Sequence, residues 1–366
     1  MTMALFFALA LSTAELYSSG IKPVRNIWVY LLIAYIPVSI LLAPPPTVSI
    51  DGMLVLNFWS WYPYLKIVLF GLMFFAVSSH DFDGWDLEMV LKVMVWCATL
   101  TALYEVTQFF YTDQFFVKCS ENDWGRIAGF IGNPTLTAPF CAMMVPLAFY
   151  LKDWPKAAIC IVGAVLPDCQ MAWIALLAGA VVYFAFGGRK QALIVFGVSV
   201  LVLAAFAAAW ANSAQFRGTF NDHERFIQWH QIFKDWTGPI AADKGYMANN
   251  ALTGRGLGSF RYVYHMQNPN IGSPNRFHQA HNDLLEFGYG VGYIGVGLFI
   301  MSIFAMFKDA YETMDRYTKA LLASITILLV DSLGNFIFQI GTTAFYAVIL
   351  CGLLHNSRRP YVYECG

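Results

Sequence analysis

The sequence predicts an all-α fold: a polytopic integral membrane helical bundle of about eleven transmembrane helices, with one large loop domain on the outer face. Three observations carry that prediction. Hydrophobic residues make up 58% of the 366 positions and charged residues only 12%, where soluble domains carry roughly 25% charge. The apolar positions form long continuous blocks rather than alternating ones, which favours helices over a barrel in lipid. Basic residues, moreover, gather on alternate connectors, as the positive-inside rule demands of a consistent count.

The blocks fall near 3–18, 27–43, 60–79, 89–111, 135–151, 157–167, 170–187, 191–210, 284–306, 319–338 and 342–355. The first has no basic residue before it, so it reads as a short helix rather than a signal peptide. The sixth is short enough to be a half-helix. Lys22 with Arg25, Lys152 with Lys156, Arg189 with Lys190, Lys308 with Arg316 and Lys319, and Arg358 with Arg359 then share one side. The opposite short connectors hold only Lys118 and Arg126. The amino terminus is therefore expected outside and the carboxyl terminus in the cytoplasm. The expected division is an N-terminal bundle over 1–210, an outer loop over 211–283 and C-terminal helices over 284–366. A net charge of −1 gives no support for a nucleic-acid partner, whereas the apolar blocks imply membrane lipids. The seven cysteines have no metal-ligand spacing and read mostly as small buried apolar residues. Cys119 and Cys169, in loops on one predicted side, leave a disulfide open.

Within the outer loop, Asn221 to Trp236 reads as an amphipathic helix. Asn221 and Glu224 have capping-box spacing, and Phe226, Trp229, Phe233 and Trp236 form one face. Arg225 stands on the neighbouring turn, equally suited to lipid headgroups or to a site. Gly254-Arg255-Gly256-Leu257-Gly258 fits neither nucleotide template; it reads as a turn where backbone approaches closely. Arg126, Arg225, Arg255, Arg261 and Arg276 all lie on the outer face, and arginine suits bidentate binding of phosphate oxygens.

The junction from loop to membrane, RFHQAHNDLLEFGYGVGYIG (276–295), carries His278 and His281. Three residues apart, they would share a face on a helix, and imidazoles move protons near neutral pH. Gly288 and Gly292 have small-xxx-small spacing, which permits close helix contact. Lys66, Glu105 and Asp331 lie inside apolar blocks, where charge is costly and is usually paired or lines a cavity.

These motifs resemble the O-antigen ligase and polymerase superfamily of bacterial envelope glycosyltransferases. His281-Asn282, nine residues, Gly292, two residues and Gly295 matches the ligase signature. Gly129-Phe130-Ile131-Gly132-Asn133-Pro134 resembles the family's Gly-Phe-x-x-Asn-Pro element. Arg225 with Trp229 resembles its periplasmic arginine helix, and Gly256 to Phe260 the glycine turn that follows. The resemblance implies an undecaprenyl-diphosphate-linked glycan donor, a lipid A-core or growing-glycan acceptor, the bacterial inner membrane, and neither metal nor other cofactor. His281 would be the general base for the acceptor hydroxyl, and Arg225 would stabilise the departing diphosphate. Arg126, Arg255, Arg261, His278 and Asn282 would bind donor or acceptor. One departure stands out: Cys169-Gln170 lies where family members carry an arginine after Ser or Thr. A transporter using Lys66, Glu105 and Asp331 as a polar path is the rival reading, as is an inactive membrane protein. A transporter would show related half-repeats with broken helices, and none is visible.

Overall fold

The computed structural model describes residues 26–42, 49–50, 53–54, 58–80, 82, 84–110, 127–185, 223–237, 251–260 and 279–356. Among them are ten α-helices: α1 (Ile27–Leu42), α2 (Phe58–Ser79), α3 (Gly84–Phe110), α4 (Pro134–Tyr150), α5 (Trp154–Val165), α6 (Gln170–Ala185), α7 (His223–Thr237), α8 (Asp283–Glu312), α9 (Arg316–Asp331) and α10 (Gly341–Asn356). A 3₁₀ turn at Ile337–Gln339 and a two-residue antiparallel pair, Ser49–Ile50 with Met53–Leu54, complete the set. The expected blocks at 3–18 and 191–210 lie outside the described residues.

Among the described residues three helices are long and apolar enough to cross a membrane: α2 over Tyr62–Ser79, α3 and α8. Helix α3 shows why lipid is their natural solvent. Leu87, Leu91, Met94, Val95, Ala98 and Ala102 are buried, yet Met89, Val93, Trp96, Leu100 and Leu103 form an exposed apolar stripe. A helix in water puts polar residues on its outward face. The block expected at 319–338 is interrupted: α9 ends at Asp331, where Ser332 N–H donates to the Leu328 and Val330 carbonyls and a turn follows.

The chain divides into two compact units that cut across the order of the sequence. The first takes Met1–Ala76 and Asn221–Lys308. In it, Ile36, Ile40, Leu257 and Val291 make one buried cluster and Ile232, Trp236, Phe260, Ala280 and Tyr289 another. The loop residues thus pack with α1 and α8 instead of forming a layer of their own. The second takes Val77–Phe220 and Asp309–Gly366. Helix α4 is its centre, with fourteen of seventeen residues buried, and α3, α5, α6 and α9 pack around it. The short α5 is a packed helix capped by Asp153, whose side chain accepts from Lys156 N–H. Gly179 lets α6 meet α9: a Cβ there would lie 2.4 Å from Ile327 Cγ1. Cys169 is buried; Cys119, with which a disulfide was left open, lies outside the described residues.

Candidate functional site

The site begins with a helix start. Asn282 caps α8, its Oδ1 accepting from Leu285 N–H at 2.9 Å while its carbonyl takes Glu286 N–H. Glu286 reaches back, and its Oε2 accepts from Ala280 N–H at 2.8 Å. Both acids in this first turn, Asp283 and Glu286, also suit the positive end of the helix. His281 is caught between these bonds, ahead of the helix rather than on it, with φ at 50°. Left-handed backbone is uncommon for a residue with a side chain, so the surrounding bonds hold it there. The residue is half-buried, and its Nδ1 has no solvent exposure. The helical face expected to join His278 and His281 therefore does not extend to His281.

Helix α7 grips the same loop from the other side. Trp229 Nε1 donates to the Ala280 carbonyl at 2.8 Å, and Gln228 Nε2 donates to the Gln279 carbonyl at 3.4 Å. Arg225 is half-buried on the first turn of α7, one helical turn before Trp229. The buried side of α7 differs from the expected stripe. Gln228, Ile232 and Trp236 are buried, whereas Phe233 is 50% exposed. The core below, Phe260, Ala280 and Tyr289, sets the rotation of the helix and takes Ile232. Asn221, and the side chains of Glu224 and Phe226, lie outside what is described.

Ten residues beyond the cap, α8 breaks. Gly292 adopts φ 72° and ψ −176°, and the turn 251–258 fills the gap in the helical ladder. The N–H groups of Tyr293 and Ile294 leave the carbonyls of Tyr289 and Gly290 and donate to Ala251 and Leu252 at 2.9 and 3.1 Å. The freed carbonyls of Tyr289 and Gly290 accept from Arg255 and Gly256 N–H at 3.1 and 2.8 Å. Tyr35 on α1 donates its hydroxyl to the Val291 carbonyl at 2.9 Å. Buried backbone groups left unmet cost on the order of 1–3 kcal/mol each, so this exchange is what permits the break.

Such closeness requires glycine. A Cβ on Gly254 would lie 2.3 Å from the Gly290 oxygen, and one on Gly292 would lie 2.2 Å from the Leu252 oxygen. Gly295 makes room for Val291, a turn earlier, and for the Tyr35 ring. Gly288 admits the Trp236 ring, 2.5 Å from where its Cβ would stand. The glycine turn thus acts as expected, by close backbone approach. The small residues of α8 receive a loop, a ring and a tyrosine rather than a second helix's backbone ridge.

Arg255 fastens the assembly. It is 4% exposed; Nη1 donates to Tyr289 Oη and Nη2 to the Asp235 carbonyl near the end of α7, both at 2.5 Å. Its guanidinium also lies 4.6 Å from the Tyr289 ring centre. These are the contacts of a strut between α7 and α8. Asn282, by its Oδ1, serves the cap. Arg126, Arg261, Arg276 and His278 lie outside the described residues.

Gly129 to Pro134, in the second unit, is a turn that starts α4: Gly129 and Gly132 take positive φ, and Asn133 caps with its Oδ1 on Thr135 N–H. Gln170 opens α6. Lys66 lies 4.7 Å from the Tyr62 ring centre. Among the described residues no group of three or more His, Cys, Asp or Glu is arranged to hold a metal ion. Trp229, read in the sequence as part of an apolar face and of the arginine-helix resemblance, and Glu286, given no role there, fix the two sides of Ala280; the spacing of Asn282 and Glu286 at a helix start was the available signal for the second. No protein-family model matches the chain, and no curated protein matches it.

Proposed function

We propose that the protein is an O-antigen ligase-like glycosyltransferase of the bacterial inner membrane. It transfers a glycan from undecaprenyl diphosphate to a sugar hydroxyl on the periplasmic face. In this reading the eleven-span arrangement holds, with the amino terminus outside and the carboxyl terminus in the cytoplasm. The observation that carries it is the fixed loop at His281. Its signature glycine Gly292 makes the helix break, its Asn282 makes the cap, and Trp229 ties it to the helix of Arg225.

With Nδ1 turned inward, Nε2 of His281 removes the proton from the acceptor hydroxyl as its oxygen attacks the anomeric carbon. The bond from that carbon to the diphosphate breaks, and Arg225 stabilises the charge on the leaving oxygens. A diphosphate departs without a general acid. The rigid loop matters because a base misplaced by about 1 Å loses on the order of 10²-fold in rate.

The test uses purified protein with lipid-linked glycan, with and without lipid A-core. Product on the acceptor marks a ligase; lengthened lipid-linked chains mark a polymerase; no product in either refutes the reading. His281→Asn is the sharper variant, since asparagine tolerates left-handed backbone. It should retain the melting temperature and lose activity by 10²-fold or more.

A further inference from the structure

The second unit holds a carboxyl group that the proposed reaction does not use. Glu105, on α3, is completely buried, and among the described residues neither of its oxygens has a hydrogen-bond partner. Each oxygen occupies a notch made by a glycine. A Cβ on Gly129 would lie 3.1 Å from Oε1, and one on Gly163 of α5 would lie 2.9 Å from Oε2.

What lines the notches is apolar or sulfur. At Gly129 the methyls of Thr101 and Thr137 converge with Oε1, because both threonine hydroxyls are turned to backbone: Thr101 to the Cys97 carbonyl, Thr137 to those of Ala128 and Asn133. At Gly163 the same position is lined, with Oε2, by Ala102 Cβ and Cys141 Sγ. Cys141 donates to the Ala98 carbonyl and Cys160 pairs with Thr99.

Among the described residues, the cations on the packed helices are engaged elsewhere. Lys92 pairs with Glu88, and Lys156 pairs with Asp153 and lies over the Trp96 ring. Helix α4 carries no charged residue. An ionised carboxylate in such surroundings faces a desolvation penalty that no described group offsets. A hard cation needs six or more oxygen ligands, and thiols and methyls do not supply them.

We propose that Glu105 is a proton-binding site of the helix bundle, a carboxyl that carries its proton at neutral pH. Infrared spectroscopy of the full chain in lipid nanodiscs tests this without reference to glycan transfer. Wild-type protein grown with carbon-13 glutamate should show, at neutral pH, a protonated-carboxyl C=O band that shifts with the label. Glu105→Gln should remove that band, and Glu105→Asp should return one that the glutamate label no longer moves. Absence of a label-shifted band in the wild type overturns the proposal whether or not the variants fold. So does a band that survives Glu105→Gln, or loss of a carboxylate band in its place.

Discussion

Two helices are interrupted inside apolar segments, one in each unit, and the chain mends them by different means. At Gly292 the repair is backbone to backbone, four hydrogen bonds between peptide groups of α8 and the turn 251–256, with a tyrosine hydroxyl added. At Asp331 the repair is made by side chains. Asn335 Nδ2 donates to both carboxylate oxygens of Asp331 at 3.0 Å and to Cys169 Sγ at 3.6 Å. Ser332 Oγ donates to the Leu329 carbonyl at 2.7 Å, and Thr343 Oγ1 donates to that of Ile337. The first break depends on side chains being absent, the second on which side chains are present. Substitution should therefore act on them by different rules.

Gly292→Ala should have the largest effect. Its Cβ meets the Leu252 oxygen at 2.2 Å and its φ is +72°, so strain and the lost ladder bonds together should cost on the order of 4 kcal/mol. Thermal unfolding in detergent reads this directly; an unchanged melting temperature would mean the break is held from elsewhere. Arg255→Lys keeps the charge but not a fork spanning Tyr289 and Asp235, and should cost about 2–3 kcal/mol. If it melts like wild type while activity falls, Arg255 belongs to substrate binding and not to the strut.

Asn335→Leu leaves the buried Asp331 carboxylate without its amide donor and should cost about 2 kcal/mol. Asp331→Leu/Asn335→Leu should recover most of that, since replacing both partners by apolar groups is close to neutral. A double variant no better than the single would assign Asp331 a role beyond mending the helix. The smallest effect is expected at Asp153. Hydrogen bonding to Lys156, ahead of other causes, holds its carboxyl below the usual aspartate range. That stabilisation is present above the ordinary aspartate range and disappears as pH falls through the lowered value. The pair is partly exposed, so Asp153→Asn should change stability by less than about 1 kcal/mol and flatten its acid limb.

The positions of α1 to α6 and of α8 to α10 were legible in the sequence, because apolar block length reports helices in lipid directly. What was not legible came from tertiary exchange. Gly292 looked like a helix-contact glycine because spacing alone does not distinguish a close neighbour from a break. Arg255 looked like a phosphate ligand because only the fold reveals the Asp235 carbonyl and Tyr289 waiting for it. The α7 stripe was rotated because Gln228, polar by type, is buried by its bond to Gln279. At Asp331 the charge was read correctly as buried, but its partner, Asn335, is four residues along the same turn.

The glycines at 254 and 292 meet backbone atoms rather than side chains. An intruding methyl there has no opposing residue that could shrink in response, since main-chain atoms are common to all amino acids. No second-site change can compensate, so these positions should drift together with nothing. Across descendants of this sequence the lock between turn and helix would be invariant and would leave no covariation.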